Sequence, residues 1–313
     1  MTINDKIPFI LVTGFLGSGK TTFIKRLLDR YSEGMRTGII QNEYASANID
    51  TADLQSTGKK FDVLEINNGS VFCVCLLANF IDSLANFIDE YQPEMIILEA
   101  SGLSDPIAVA ELLQHEKLRD KIYLLHIWCI IDAQNYLRIG RMADRVKRQI
   151  RIADTLIINK TDLGENRISE IRDELKSLNS YADIQESSYC KVEFDRNLFD
   201  LPVETVAWKR RNNHSGIKPS GRAEINTVVL KTTFQISRTQ LSKFIAEVEN
   251  KLIRIKGFIN LSNGRKVMIQ SGFGKTGISE TNYYSGPTEL IGLGYEISSA
   301  EFGRRFHEIR KGG

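Results

Sequence analysis

Eight residues near the start of the chain, Gly14-Phe15-Leu16-Gly17-Ser18-Gly19-Lys20-Thr21, match the spacing G-x-x-x-x-G-K-[ST], with Thr22 behind them. Three glycines among them allow backbone N–H groups to turn inward around an anion, and a helix starting just afterwards adds the partial positive charge of its N-terminus. Gly14, Gly17, Ser18, Gly19, Lys20, Thr21 and Thr22 are therefore candidates to bind the phosphates of a nucleotide. Lys20 would reach the β- and γ-phosphates as a catalytic cation, and the Thr21 hydroxyl would be a ligand of a Mg²⁺ bridging them.

Two further groups are placed to complete such a site. Asn159-Lys160-Thr161-Asp162 follows an apolar run. The Asp162 carboxylate can accept from both N1–H and the 2-amino group of guanine, whereas adenine offers no such pair of donors, so a buried hydrogen-bonding group here discriminates strongly. Asn159, Lys160 and Asp162 are the candidate base-binding residues. Glu99 opens Glu99-Ala100-Ser101-Gly102. It would hold Mg²⁺ through water, with Gly102 presenting its N–H to the γ-phosphate. The plainer alternative for Glu99 is a helix cap.

The elements that must position these residues alternate in type. Pro8-Phe9-Ile10-Leu11-Val12-Thr13 reads as a strand and Phe23-Ile24-Lys25-Arg26-Leu27-Leu28 as a helix. Strands follow at 37–42, 61–66, 95–98, 122–131, 155–158 and, more weakly, 182–185. Between them lie helices at 76–91, 141–152 and 168–178. This order predicts an α/β fold of the P-loop NTPase kind, a doubly wound and mostly parallel sheet, occupying residues 1–206. A polar, basic, turn-rich stretch at 207–221 reads as a linker. Residues 222–313 form a smaller C-terminal α+β domain with a strand at 227–230, a helix at 238–254, a hairpin about Asn263-Gly264, a strand at 289–295 and a helix at 300–309.

Composition narrows the partners. The 313-residue chain carries 41 basic and 39 acidic residues, a formal charge of +2, which gives no electrostatic argument for binding nucleic acid. Residues 1–6 lack the apolar core of a signal peptide, and no run reaches the length of a membrane span, so the expectation is a cytoplasmic protein without a membrane partner. Four cysteines in a chain of this length are not a disulfide scaffold.

Residues 14–22, Asn42-Glu43, Glu99-x-x-Gly102 and Asn159-x-x-Asp162 together resemble the CobW-like family of phosphate-loop GTPases, relatives of the urease and hydrogenase nickel-insertion GTPases. Arg148-Gln149-Ile150-Arg151-Ile152-Ala153-Asp154 and, in the second domain, Ile255-Lys256-Gly257-Phe258 carry the resemblance across almost the whole chain. It implies slow GTP hydrolysis coupled to delivery of a metal ion or metal-containing cofactor to a client, with residues 42–50 and 99–105 as nucleotide-sensing switches. Relatives also carry Cys-x-Cys-Cys after an acidic residue and a glycine. Here the segment reads Gly69-Ser70-Val71-Phe72-Cys73-Val74-Cys75, with Ser70 and Phe72 at the first two family cysteine positions, Cys73 at the third and Cys75 additional.

Two thiolates, with Glu43 as an oxygen donor, suit Zn²⁺ or Cu(I) but leave a tetrahedral site incomplete. Water, a client or a second copy of the chain in a homodimer would supply the rest. The competing reading of Cys73 and Cys75 is packing or redox chemistry. His126 and Cys129 read as core, His307 as an exposed helix residue, and Cys190 as a wall of the guanine pocket whose thiol has no task. The resulting expectation is a GTPase that binds GTP, GDP and Mg²⁺ and delivers a metal to a client metalloprotein or cofactor-dependent enzyme. The alternative is a GTP-dependent chaperone or reactivation factor with no metal of its own. A small-molecule kinase is a third reading, against which Asp162 argues.

Overall fold

Phe9, Ile10, Leu11 and Val12 in one run, and Met95, Ile96, Ile97 and Leu98 in another, are apolar at every position because both faces of their strands are covered. In the computed structural model these runs are neighbouring parallel strands at the centre of a sheet. The structure describes residues 6–32, 34–42, 61–66, 74–100, 109, 112–113, 115–139, 144–163, 167–180, 182–194, 198, 225–248, 251–272, 275–282, 284–295 and 297–311. The chain divides into two units, Met1–Phe199 and Asp200–Gly313. The linker expected at 207–221 lies outside the described residues.

In the first unit the elements run β1 (Ile7–Gly14), α1 (Lys20–Tyr31), β2 (Thr37–Asn42), β3 (Phe61–Ile66), α2 (Val74–Tyr91), β4 (Met95–Glu99), β5 (Ile122–Asp132), α3 (Tyr136–Ile139), α4 (Asp144–Ile152), β6 (Thr155–Asn159), α5 (Ile168–Leu178) and β7 (Asp183–Glu186). Among the described residues the strands form a seven-stranded sheet in the order β3-β2-β4-β1-β5-β6-β7. Every pair is parallel. The chain winds outward from β1 to one edge, returns to insert β4 beside β1, and then winds outward to the other edge. That reversal of direction leaves a crevice at the carboxyl ends of the central strands, where open parallel sheets bind ligands.

Helix α1 shows how the apolar spacing becomes packing. Its buried residues, Lys20, Phe23, Ile24, Leu27, Leu28 and Tyr31, recur at three- and four-residue intervals and form one stripe. Phe23 lies 5.0 Å from Trp128 and 5.7 Å from Phe194 between ring centroids, so the stripe seats against β5 and the segment after β7. The run ending at Asp154 also has a packing reason. The carboxylate of Asp154 accepts from the backbone N–H of Ile127 at 2.8 Å, and the Asn179 amide donates to the carbonyls of Ile150 and Ala153, closing the C-terminal end of α4.

The second unit contains β8 (Ile225–Thr232), α6 (Arg238–Val248), β9 (Leu252–Asn260), β10 (Lys266–Gly272), β11 (Lys275–Glu280), β12 (Thr288–Tyr295) and α7 (Ser299–Lys311). Its sheet has the order β11-β10-β9-β12-β8 and is antiparallel throughout. Phe244 of α6 meets both Phe302 and Phe306 of α7 at 5.2 Å, which joins the two helices over the apolar side chains of the sheet. The β9–β10 hairpin turns at Asn263-Gly264, with Gly264 at φ +81°.

Several local expectations are corrected. The apolar rhythm Leu241, Phe244, Ile245, Val248 continues to Leu252 and predicts one helix to residue 254, but α6 stops at Val248 and Leu252 begins β9. The ladder that Ile255 and its neighbours make with β12 outweighs a last helical turn. Strand β11 is unannounced because Gly277 and the polar residues around it dilute the strand pattern. His126 is half-buried at the edge of the core, with Nε2 3.0 Å from Thr155 Oγ1. His307 is half-buried too, with its ring edge-on to Phe234 at 4.9 Å. Cys129 is fully buried as expected.

The Ile255-Lys256-Gly257-Phe258 pattern acquires a physical meaning here. Gly257 sits at φ +147°, and a Cβ on it would stand 2.0 Å from the carbonyl oxygen of Glu289 and 2.8 Å from Leu290 Cα. Gly257→Ala is expected to destabilise the C-terminal unit by roughly 3 kcal/mol. Urea unfolding followed by circular dichroism would show this as an earlier transition, and an unchanged midpoint would refute the close-approach argument.

Candidate functional site

Because the first sheet is parallel, every strand delivers its last residue to the same edge. At that edge stand Gly14 from β1, Glu99 from β4, Asp132 from β5, Asn159 from β6 and the residues after Glu186 from β7. Backbone bonds lock the ends in register: Ala100 N–H to Val12 O at 2.9 Å, Ala133 N–H to Asn159 O at 2.9 Å, and Ser187 N–H to Ile158 O at 2.8 Å.

The glycine loop turns out of β1 at Gly14, φ +139°, passes through Gly17 at φ +75° and enters α1 from Gly19 at φ +108°. These are backbone conformations that favour glycine. Crowding adds a second reason at two of them. A Cβ on Gly14 would lie 2.3 Å from Ile130 O, and one on Gly19 would lie 2.5 Å from Asn159 Nδ2. Lys20 Nζ donates to Phe15 O at 3.3 Å, holding the ammonium across the loop. Thr21 Oγ1 donates to the Glu99 carboxylate at 3.2 Å, although 78 residues separate the two. Two hard oxygen donors this close are the kind of set that suits Mg²⁺. Thr22 is exposed at the start of the helix.

Asn159 links the two ends of the site. Its Nδ2 donates to Ser18 O at 2.8 Å, and its Oδ1 accepts from the Cys190 N–H at 2.9 Å. The segment after β7 therefore hangs from the same side chain as the glycine loop. Tyr189 and Cys190 both have left-handed backbone, φ 56° and 53°, and Arg26 of α1 donates to Tyr189 O at 2.7 Å. Ser188 Oγ meets Thr161 Oγ1 at 3.0 Å and accepts from the Asp162 N–H at 3.3 Å, so this segment also braces the Thr161-Asp162 turn. Asp162 itself is exposed.

Lys160 has φ +62° and donates from Nζ to Asp132 Oδ2 at 2.8 Å. Burial works against the charge of Asp132, but the bonds from Lys160 and Asn135 outweigh it and hold the carboxyl below the usual carboxylate range. Cys190 also has a task that its sequence position did not announce: its Sγ lies 3.4 Å from Gly19 O, beneath the glycine loop.

The sequence singled out the glycine loop, Glu99 and the Asn159 turn, and the structure brings these together at one edge. It missed Asp132, Arg26 and Ser188. Asp132 had a legible signal, an acid directly after the buried run Ile130-Ile131, as Glu99 follows Leu98. Gly102, Glu43 and Cys73 lie outside the described residues, as do most of the two expected switch segments. Cys75 is placed by its backbone in the first turn of α2, and its side chain is not described. Among the described residues no three His, Cys, Asp or Glu side chains gather closely enough to hold a metal ion. No described helix is long and apolar enough to cross a membrane.

The two cysteines whose side chains are described, Cys129 and Cys190, are expected to be chemically silent. Burial pushes the Cys190 thiol up to about 12 against the pull of Arg26 and Lys160, and the Cys129 thiol up to about 12 against that of Lys20. Thiolate is the reactive form, so at pH 8 neither has an appreciable nucleophilic fraction. In a Cys73→Ser, Cys75→Ser chain, iodoacetamide at pH 8 is expected to label nothing until denaturant is added. Rapid labelling of the folded chain would contradict the buried placement.

Comparison with known proteins agrees with this geometry. The model of one protein family, described as CobW/HypB/UreG, nucleotide-binding domain, matches residues 8–186. The zinc chaperone CobW of Sinorhizobium sp is 30% identical over 204 residues, 56% of this chain and 57% of its own length. The zinc chaperone YjiA of Escherichia coli (strain K12) is 23% identical over 271 residues, 82% of either chain. The chain thus spans little more than half of the CobW relative and most of the YjiA one. The crystal structure of Zn(II)-bound YjiA GTPase from E. coli shares the fold, with a TM-score of 0.58 at 18% identity over 97% of this chain and 99% of that one. With a glycine loop, an Asn159 turn and a parallel sheet arranged in this way, and a family match covering more than half of its residues, the chain belongs to the CobW/HypB/UreG family of nucleotide-binding proteins.

Proposed function

We propose that the protein binds and hydrolyses GTP, and that hydrolysis is coupled to handing a metal ion, Zn²⁺ in the reading best supported, to a client protein. The observation that carries the nucleotide part is the Asn159 bridge. A single side chain holds the glycine loop through Ser18 and the loop after β7 through Cys190, so both are fixed to the end of β6, from which the Thr161-Asp162 turn departs. The relatives named as zinc chaperones support zinc as the cargo.

In this mechanism Gly14, Gly17, Ser18, Gly19, Thr21 and Thr22 line the phosphate end with backbone N–H groups and the α1 N-terminus. Lys20 neutralises charge on the transferring phosphoryl group, and Gly102 presents its N–H to the γ-phosphate. Thr21, and Glu99 through water, would hold Mg²⁺, which when bound neutralises charge between the β- and γ-phosphates. At the other end Asp162 accepts from N1–H and the 2-amino group of guanine, with Asn159 and Lys160 fixing the turn that carries it. Cys73 and Cys75, with Glu43, would carry the metal. Their segment lies in sequence between residues 42–50 and 99–105, so loss of the γ-phosphate would alter its geometry and release the cargo.

Two experiments test these parts. Asp162→Asn replaces one acceptor by a donor, which suits the 2-oxo group of xanthine instead of the 2-amino group of guanine. GTP affinity is expected to fall by at least about 100-fold while XTP binding improves. Unchanged GTP binding would remove Asp162 from base recognition. For the cargo, zinc affinity measured against a chromophoric chelator should be roughly stoichiometric, differ between GDP and a non-hydrolysable GTP analogue, and vanish in Cys73→Ser, Cys75→Ser. Ser70 and Phe72, standing at family cysteine positions, favour the second reading, a GTP-driven chaperone or reactivation factor for a metal- or corrinoid-dependent enzyme. Absence of zinc binding in both nucleotide states would select it.

A further inference from the structure

The carboxylate that ends β5 accepts four hydrogen bonds. Asp132 Oδ1 takes the backbone N–H groups of Gln134 at 2.9 Å and Asn135 at 3.2 Å, while Oδ2 takes the Asn135 side-chain amide at 3.1 Å and Lys160 Nζ at 2.8 Å. The two oxygens therefore do different work. Oδ1 closes the turn after β5. Oδ2 faces the neighbouring strand, where Asp132 is in register with Asn159, and reaches the lysine that follows it.

This is not a solvated surface pair of the kind that contributes little. The Asp132 side chain is 7% exposed and that of Lys160 30%. Lys160 also occupies left-handed backbone, φ +62°, which costs a non-glycine residue about 1 kcal/mol and persists only where the surroundings impose it. The ammonium tether to Asp132 and the Leu163 N–H bond to Lys160 O at 3.0 Å are two such constraints. Whatever fixes the backbone at Lys160 fixes the direction in which Thr161 and Asp162 leave the sheet. The strand ends are already joined by Ala133 N–H to Asn159 O, so the sheet does not need the Asp132–Lys160 pair to stay in register.

We propose that Asp132 is a positioning residue for guanine-nucleotide binding: acting through Lys160, it sets the left-handed turn that presents Asp162 to the base. This rests on the guanine reading of the site given above. It adds to that reading a group which touches neither base nor phosphate, and it makes the end of β5 part of base recognition.

The test is a double-mutant cycle read by isothermal titration with GDP, using the full chain, Asp132→Asn, Lys160→Met and the double variant. Each single change is expected to weaken GDP about tenfold, the range a single charge-assisted hydrogen bond carries, and the double variant to be no weaker than Lys160→Met. The turnover number at saturating GTP should stay within about twofold in Asp132→Asn, because the phosphate end is untouched. A role confined to the turn would lower the melting temperature and give losses that multiply, roughly 100-fold in the double variant, which would overturn the proposal. If Asp132→Asn does not fold, Asn135→Ala takes its place. Removing the amide that shares Oδ2 should weaken GDP about two- to fivefold in the wild-type background and not at all beside Lys160→Met. An equal loss in both backgrounds would overturn the proposal. A wild-type chain that binds no GDP would overturn the guanine reading and this one together, whereas a chain that binds GDP with multiplying losses would overturn this one alone.

Discussion

The nucleotide-binding edge of this protein depends on one amide. Asn159 uses its donor on the glycine loop and its acceptor on the segment after β7, so two loops far apart in the sequence share a single buried anchor. The anchor can reach the loop because Gly19 carries no side chain, since a Cβ there would collide with the Asn159 amide. Burial makes the arrangement strict. Asn159 is 2% exposed, and a donor or acceptor left unmatched at that depth costs about 1–3 kcal/mol. Identity of the side chain at 159, absence of one at 19 and the backbone at 190 are therefore mutually constrained.

Around that anchor the parallel sheet does the large-scale positioning. Parallel pairing sends all the carboxyl termini to one edge, and the insertion of β4 beside β1 brings Glu99 to the Thr21 hydroxyl across 78 residues of sequence. The strands themselves need no polar residues to achieve this. The interiors of β4 and β6 are apolar apart from Thr155, and a polar residue ends each of them, Glu99 and Asn159, as Asp132 ends β5. The strand interiors carry the hydrophobic burial, and the strand ends carry the candidate site residues.

The second unit is built on a different principle. Its antiparallel sheet brings sequence-adjacent strands into hairpins, and α6 and α7 supply one aromatic layer over it. Its tightest constraint is also an absence, the missing Cβ at Gly257 where β9 passes the backbone of β12. The same device, glycine at a close backbone approach, thus shapes the glycine loop at Gly14 in one unit and the sheet at Gly257 in the other.

Much of this was determined by the sequence alone. The glycine loop between an apolar strand and an amphipathic helix, the continuous apolar runs of buried parallel strands, and the Asn-Gly hairpin are local signals, because their causes are local: φ preferences, periodicity and burial on two faces. The proximity of Glu99 to Thr21 was legible as an expectation, since both were assigned to the same Mg²⁺. Tertiary structure alone decided what depends on neighbours distant in the chain. Helix α6 ends at Val248 because β12 offers residues 252–258 a ladder, which no periodicity within 238–254 records. Cys190, an unremarkable thiol in the sequence, packs beneath Gly19, and Asp132 meets Lys160, because β5, β6 and β7 lie side by side. Partners of this kind are chosen by strand order, and strand order comes from how the whole chain winds, not from any window of residues within it.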